Sequence, residues 1–547
     1  GIYNTLVGGL AGDALTDADY NVAIGANALG QNTVGSRSVA VGYGALTSHN
    51  PATASDSYNT AVGMLAGENV TTGADNTLIG GLAGDALTTG GENVVVGYNA
   101  LHSDTKGVGS VAIGKNALYY QNFSTTTTSY NTAIGKSAGL YVTTGVENTL
   151  IGGLAGDGIT TGSYNVAIGS QALTNDDLGN HSVAIGRMAL ENQNYATATN
   201  SYNTAIGSNA GNAMTVGEQN VFVGGLAGDA LTDADYNVAV GASALGADRK
   251  GNRTTALGYS VLSQQDFSTA TDTSNTGVGY IAGASVTTAI QCTLVGAEVG
   301  KYLSTGSYST FMGHRAGHGT SGSELTHFFN TSIGYESGYK LQTTAQKNTF
   351  LGAYAGYYNG STSTSNGITT GENNTAIGFA AYPSSATVDN EFTLGNSDVN
   401  NLRCNDTSIS SLSDERDKKN IVDIPLGLDF INTLRPVAFD WNRRDGSKQG
   451  VKDFGFIAQE LKTAQEATDY SDHMRLVHAG TVLVPDAKNT NAVEDEEGDP
   501  IRDVSGTTEE CLEADPMKTY PVLIKAVQEL SAKITTLEAE ITKLKGE

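Results

Sequence analysis

NTLVGGLAG at residues 4–12, NVAIGANAL at 21–29, SVAVGYGAL at 38–46 and NTAVGMLAG at 59–67 are four copies of one short unit. The pattern is Asn or Ser, Thr or Val, any residue, Ile or Val, Gly, two further residues, Ala, then Gly or Leu. It returns at Asn76, Asn93, Ser110, Asn131, Asn148, Asn165, Ser182, Asn203, Asn220 and Asn237. Most steps are 17 residues and every fourth is 21, so four units make a 72-residue super-repeat. The longer period shows in NTLVGGLAGD at 4, NTLIGGLAGD at 76 and 148, and NVFVGGLAGD at 220. Looser copies start at Thr254, Asn275, Cys292, Ser309, Asn330, Asn348, Asn374 and Glu391, which brings the total to 22.

A unit this short cannot bury a core alone, so neighbours must stack. Apolar positions alternate over a β-branched run, as at Val22 and Ile24, and stop at Gly25. That reads as a strand ended by a backbone turn. Ala28 leaves room for close packing inside a coil, and the recurring Asn predicts a ladder of side-chain amides bonded from rung to rung. Gly occurs twice in nearly every unit and no 3.6-residue stripe survives, which removes a helical reading. The expected fold over residues 1–395 is therefore mainly β, a repetitive β-solenoid. At ~4.8 Å per strand its 22 rungs span roughly 100 Å. Residues 396–412 read as a distal tip or linker. Because the chain begins at Gly1 inside a repeat, further sequence is expected upstream.

Composition narrows the partners. The 69 glycines against 8 prolines suit β-structure made of many tight turns. A net charge of −26 disfavours nucleic acid and anionic membrane, which reward clustered Lys and Arg. No run approaches 18 apolar residues, so no membrane span is encoded. Cys292, Cys404 and Cys511 are too few and too scattered for a disulfide framework or a CxxC metal site. His314 and His318, four apart in GHRAGHG, lack a third ligand and a helical setting, so they read as loop histidines. No metal and no cofactor is expected.

Two recurring features invite a functional reading. The four-residue insertions (49–59, 121–131, 192–203 and 264–275) share one phase and predict a column of loops on one face. Their Phe123, Tyr195 and Phe267 could stack on sugars, but stapling each loop to a neighbouring rung is the favoured reading. Asp13, Asp85, Asp157 and Asp229 invite a glycosidase reading. Each occupies the same slot of the super-repeat, which points instead to a turn residue bonding its own backbone.

Near residue 412 the composition breaks. Only 13 of the 30 Lys and Arg precede it, and the single Trp, Trp441, follows it. Residues 413–547 read as a small α+β domain. Its start is SDERDKKNIVDI from Ser413, followed by LDFINTLRPVAFDWN, DFGFIAQEL from Asp453 and PVLIKAVQEL from Pro521. A serine hydroxyl is a poor nucleophile until a base removes its proton, and a lysine serves when burial or nearby cations lower its pKa. Ser413 and Lys418 lie five apart, with Arg416 and Lys419 beside them. Tyr520, Val527, Ile534 and Ile541 take heptad position a; Leu523, Leu530, Leu537 and Leu544 take d. Residues 520–544 thus form a coiled-coil seam, whose β-branched a and Leu d favour a dimer in isolation. AVEDEEGDPIRD at 492–503 reads as a mobile acidic loop.

The SVAIG and NTAIG units resemble the head repeats of trimeric autotransporter adhesins and of phage tail fibres carrying similar repeats. That resemblance covers about residues 1–395 and implies a left-handed parallel β-roll in a homotrimer, although the 17- and 21-residue steps exceed the adhesin-head period. The four segments after Ser413 resemble the endosialidase-type intramolecular chaperones of phage tail fibres and spikes. Members trimerise the preceding fibre and then cut themselves off. The Ser-Asp-x-Arg-x-Lys pattern falls on Ser413, Asp414, Arg416 and Lys418. The resemblance therefore implies catalytic Ser413 and Lys418, cleavage between Leu412 and Ser413, and a trimeric rather than dimeric coiled coil.

The function expected is a viral tail-fibre segment for host attachment. It is made in the host cytoplasm, ends on the virion outside the cell, and joins upstream fibre or virion proteins. A bacterial trimeric adhesin would need a membrane anchor, and a polysaccharide-degrading spike would need convergent carboxylates outside the repeat. Receptor contact, with a glycan as one option, is expected where the repeat becomes irregular. There Phe328, Phe329, Tyr357 and Tyr358 sit among Gly, Ser, Thr and Asn.

Overall fold

Each repeat unit forms one three-residue strand that pairs in parallel with the strands one coil before and after. Val22–Ile24 lies between Thr5–Val7 and Val39–Val41, with Ala23 opposite Leu6 and Ala40. The structure is a computed structural model. It describes every residue except 327, 343, 358–369, 397, 400–401, 404–414, 443–449, 486–492, 495–499, 502–505, 515 and 547. It divides into two units, Gly1–Asn348 and Thr349–Glu547. Among the described residues there are 22 such strands. The last three, Thr349–Leu351, Thr375–Ile377 and Phe392–Leu394, fall in the second unit. The protein is a β-solenoid, as the repeat predicts.

Strand periodicity decides what fills each coil. In Thr132–Ile134 the middle residue, Ala133, is buried while Thr132 and Ile134 face outward. The same holds in nearly every coil, with Leu150, Phe222 or Phe311 replacing the central alanine where the interior is wider. The residue after each strand must be glycine. Gly152 has φ +135°, and an added Cβ would lie 2.5 Å from the carbonyl oxygen of Gly169 in the next coil. The following residue is unconstrained: a Cβ on Gly153 would meet nothing within 4 Å.

The Asn ladder forms, but most of its bonds go to backbone. Asn59 Nδ2 donates to Gly73 O in its own coil at 2.8 Å, and Asn59 Oδ1 accepts the Asn76 backbone N–H at 3.0 Å. Direct amide-to-amide bonds join some rungs, as from Asn93 Nδ2 to Asn76 Oδ1 at 3.1 Å. Every fourth rung has Ser or Thr in place of Asn, and the 21-residue unit repairs the gap. Gln121 Nε2 donates to Asp104 Oδ2 at 2.7 Å and to Ser110 Oγ at 2.8 Å, while its Oε1 accepts from Asn131 Nδ2 at 2.8 Å. The Asp176, Ser182, Gln193, Asn203 and Asp248, Thr254, Gln265, Asn275 sets repeat this arrangement. Burial pushes the Asp176 carboxyl up to about 6, with the Gln193 bond opposing it.

The first super-repeat departs from this. His49 stands in the glutamine slot and Asn32 in the aspartate slot. His49 is buried, and neither ring nitrogen has a hydrogen-bond partner; nor has Ser38 Oγ. Desolvation pushes His49 down to about 4, partly opposed by the Thr71 backbone.

Among the described residues, the C-terminal part holds four α-helices: α1 (Leu428–Ile431), α2 (Ala458–Glu466), α3 (Ser471–Met474) and α4 (Tyr520–Lys545). Val437–Asp440 pairs antiparallel with Lys452–Gly455, and Val477–Pro485 with Gly506–Ala514. The acidic stretch expected to be a mobile loop instead carries an antiparallel pair, Val493–Glu494 with Pro500–Ile501. The longer hairpin at its base brings those two segments together.

Two outcomes test this fold. Gly152→Ala should cost about 3 kcal/mol through backbone strain, whereas Gly153→Ala should stay within about 0.5 kcal/mol; denaturation of the two full-length variants compares them. His49 takes its proton less readily when folded (about 4) than at its ordinary 6.5, so its neutral burial favours the fold above pH 6.5 and loses that contribution as pH falls toward 4. Asp176 acts in the opposite sense, favouring the fold as pH drops below about 6. His49→Gln should therefore raise the calorimetric midpoint more at pH 5 than at pH 8. Equal gains at both pH values would contradict a buried, neutral imidazole.

Candidate assembly, cleavage and receptor sites

On the strand face that points away from each coil, an apolar column at the third residue runs beside Thr or Val at the first. The third strand residue is Ile or Val in most coils, and pairing keeps these residues in register: Ile134 lies opposite Ile113 and Ile151. Ile24, Ile79 and Ile206 are each close to 40% exposed in the single chain. This is an outward ladder of branched aliphatics. The sequence carried its signal, since the fourth unit position is as regular as the central alanine, but period alone does not say which set faces inward.

A second apolar seam runs along α4. Its inner face is used: Val522 and Ala526 are buried, and Val522 joins a core with Phe430, Met474 and Leu476. Leu428 N–H donates to Glu529 Oε2 at 2.9 Å, tying α1 to α4. The heptad residues lie on the other side. Tyr520, Leu523, Val527, Leu530, Ile534, Leu537, Ile541 and Leu544 are all exposed. Beside this core, Leu426, Phe430 and Thr433 face Ala464 and Thr468 across an open groove between α1 and α2.

Of the cleavage residues, Leu412 and Ser413 lie outside the described residues. Glu415–Asp417 forms one 3₁₀ turn, and Lys418 follows it, with its backbone N–H on Glu415 O at 3.1 Å. Arg416, Lys418 and Lys419 are exposed within one chain.

The irregular rungs gather two aromatic clusters, each within its own unit. Phe328 and Phe329 are exposed, and Phe329 stacks on Tyr308 with ring centroids 5.2 Å apart. Tyr357 is half-buried rather than exposed, edge-on to Tyr354, which also meets Phe379. Tyr358 lies outside the described residues. His314 and His318 stack on Tyr335 and Tyr339. The thiol of Cys292 occupies an Asn-ladder position, and burial pushes it up to about 11.

The insertion-loop aromatics pack. Phe123, Tyr195 and Phe267 are buried, and the Tyr195 hydroxyl donates to Gly217 O at 2.6 Å. In the aspartate column, Asp157 Oδ1 is buried without a hydrogen-bond partner and desolvation pushes that carboxyl up to about 6, while Asp85 Oδ1 holds His102 Nδ1 at 2.7 Å. Successive members are four coils apart, roughly 19 Å at the spacing of stacked strands. Paired glycosidase carboxylates sit closer.

The sequence model of the chaperone-of-endosialidase family matches residues 413–470. No curated protein and no solved structure matches the chain. A long β-solenoid followed by an endosialidase-type chaperone region fits a phage-type tail fibre or spike. Among the described residues, no helix is long and apolar enough to cross a membrane.

Proposed function

We propose that this chain is a host-attachment fibre of a virus particle. Residues 413–547 join three copies, direct folding of the solenoid and then detach by cutting the Leu412–Ser413 bond. The observation that carries this reading is the pair of open apolar seams, one along the strands and one along α4. Each is a self-complementary surface that repeated copies of the same chain cover in register. Joining the α4 helices first raises the local concentration of the chains and sets their order before the rungs pair. The family matched at 413–470 supports a chaperone in this position. Once complete, the fibre is held by its unfolding barrier, so it persists after its chaperone leaves.

For cleavage, the Lys418 amine takes the Ser413 Oγ proton, and Oγ attacks the Leu412 carbonyl carbon. The Leu412–Ser413 C–N bond breaks, the proton passes to the leaving Ser413 amine, and water hydrolyses the resulting ester. Lys418 is exposed in one chain, so the desolvation that activates it must come from the other copies. Cleavage then reports assembly. Wild-type protein should split into 412- and 135-residue pieces by mass spectrometry. Ser413→Ala and Lys418→Ala should give intact chains that still trimerise, and Leu530→Asp should abolish both trimer and cutting. Cleavage elsewhere, or cleavage unchanged in both dyad variants, sinks the assignment.

Receptor contact is placed at the irregular rungs, with Phe328, Phe329, Tyr357 and Tyr358. Phe329→Ala combined with Tyr357→Ala should reduce adsorption of particles to host cells at least tenfold without altering the trimer. Undiminished adsorption would remove these residues from the receptor site.

A further inference from the structure

A periodic fold makes the same structural demand every 72 residues, so departures that converge on one patch are not explained by the fold. One such patch lies on the shaft, apart from the irregular rungs. Tyr141 stands where the other super-repeats have Asn69, Ala213 and Ser285; Tyr120 stands where they have Ser48, Asn192 and Gln264. Gly158 replaces Ala14, Ala86 and Ala230, and Asp177 replaces Thr33, Thr105 and Arg249. These four residues come together with Thr143 and Thr160 around one surface notch.

The notch is built by a ladder that stops. The Tyr120 and Tyr141 rings stack with centroids 5.5 Å apart and planes 6° from parallel. The next coil holds Gly158 at the same place, so no side chain continues the stack beyond Tyr141. Bracing fixes the rings from the other end. Asp85 holds His102, His102 stacks on Tyr119 at 4.8 Å, and Tyr119 meets Tyr120 edge-on at 4.7 Å. Beside the vacant step, Thr143 Oγ1 donates to Thr160 O at 3.1 Å, and the Thr160 hydroxyl bonds the Asp177 carboxylate. Tyr120 and Tyr141 remain 45% and 49% exposed. They lie about half a coil along the chain from the strand whose outer face is the proposed seam between copies.

We propose that this notch is a saccharide-binding site, in which a neutral pyranose ring takes the vacant step of the ladder. Its C–H face packs on Tyr141, its hydroxyls bond the Asp177 carboxylate and the Thr160 region, and Gly158 carries no ring to continue the ladder. A flat apolar face with acceptors at its rim matches a ring that is apolar on its faces and hydroxylated at its edge. The carboxylate and the net charge of −26 turn away acidic sugars and nucleic acid. The rigid stack lowers the ordering cost of binding. The site does not depend on the contact placed at the irregular rungs.

The test uses the full chain on a surface array of neutral tri- to hexasaccharides of glucose, galactose, mannose and N-acetylglucosamine, with sialylated and sulfated oligosaccharides alongside. Tyr141→Asn and Asp177→Thr each install the residue that the preceding super-repeat already tolerates. Their melting should match the wild type, and retention of the neutral ligand should fall at least tenfold in each. Phe329→Ala with Tyr357→Ala should leave that retention unchanged. The proposal is overturned if no neutral oligosaccharide is retained, if only acidic ones are, or if retention survives in both Tyr141→Asn and Asp177→Thr.

Discussion

The solenoid depends on the close approach of one turn to the next at the glycine that ends each strand. At Gly63 an added Cβ would sit 2.3 Å from the Gly80 carbonyl oxygen, and at Gly207 the same distance from that of Gly224. The coils can stack at strand spacing only because this column has no side chains. Once it is in place, the three-residue strands pair in register. The central residues then fill the coil, and the outer Ile and Val form a continuous edge. The Asn ladder completes the arrangement by satisfying buried backbone groups that a narrow coil cannot otherwise reach.

Replacing the ladder Asn at every fourth rung creates a polar vacancy, and the structure answers it with Gln121, Gln193 and Gln265, each held by a buried aspartate. Four extra residues per super-repeat thus serve the core as well as the surface. His49 and Asn32 at the first of these rungs form an incomplete version of the same network, with Ser38 Oγ left unbonded. A buried polar network with missing partners is a weak point.

Two open seams and a chaperone region fit one scheme of assembly. In α4 the face carrying Val522 and Ala526 is committed to its own domain, while the heptad face is exposed from Tyr520 to Leu544. The strand seam has the same character: fully ordered within the chain yet apolar toward the outside. Surfaces of this length and regularity are costly to leave in water. That argues for copies of the chain as their cover, and for a device that aligns those copies before the rungs can mispair.

The sequence by itself determined the coil. Repeats of 17 and 21 residues with Gly at a constant place read as stacked strands, because two glycines in nearly every unit and the lack of a 3.6-residue stripe remove a helical solenoid. It also marked the change of domain chemistry near residue 412 and the heptad after 520, since both are local patterns of composition and spacing. Contacts between coils were decided only by the tertiary structure. Whether Ala133 or Ile134 points inward, how Gln121 reaches across to Asp104, and whether Phe123 lies in a loop or beneath it all depend on residues 17 to 21 positions away meeting side by side. The notch at Tyr141 is the plainest case. Tyr120, Tyr141, Gly158 and Asp177 are unremarkable along the chain, and only stacking places them around one vacancy.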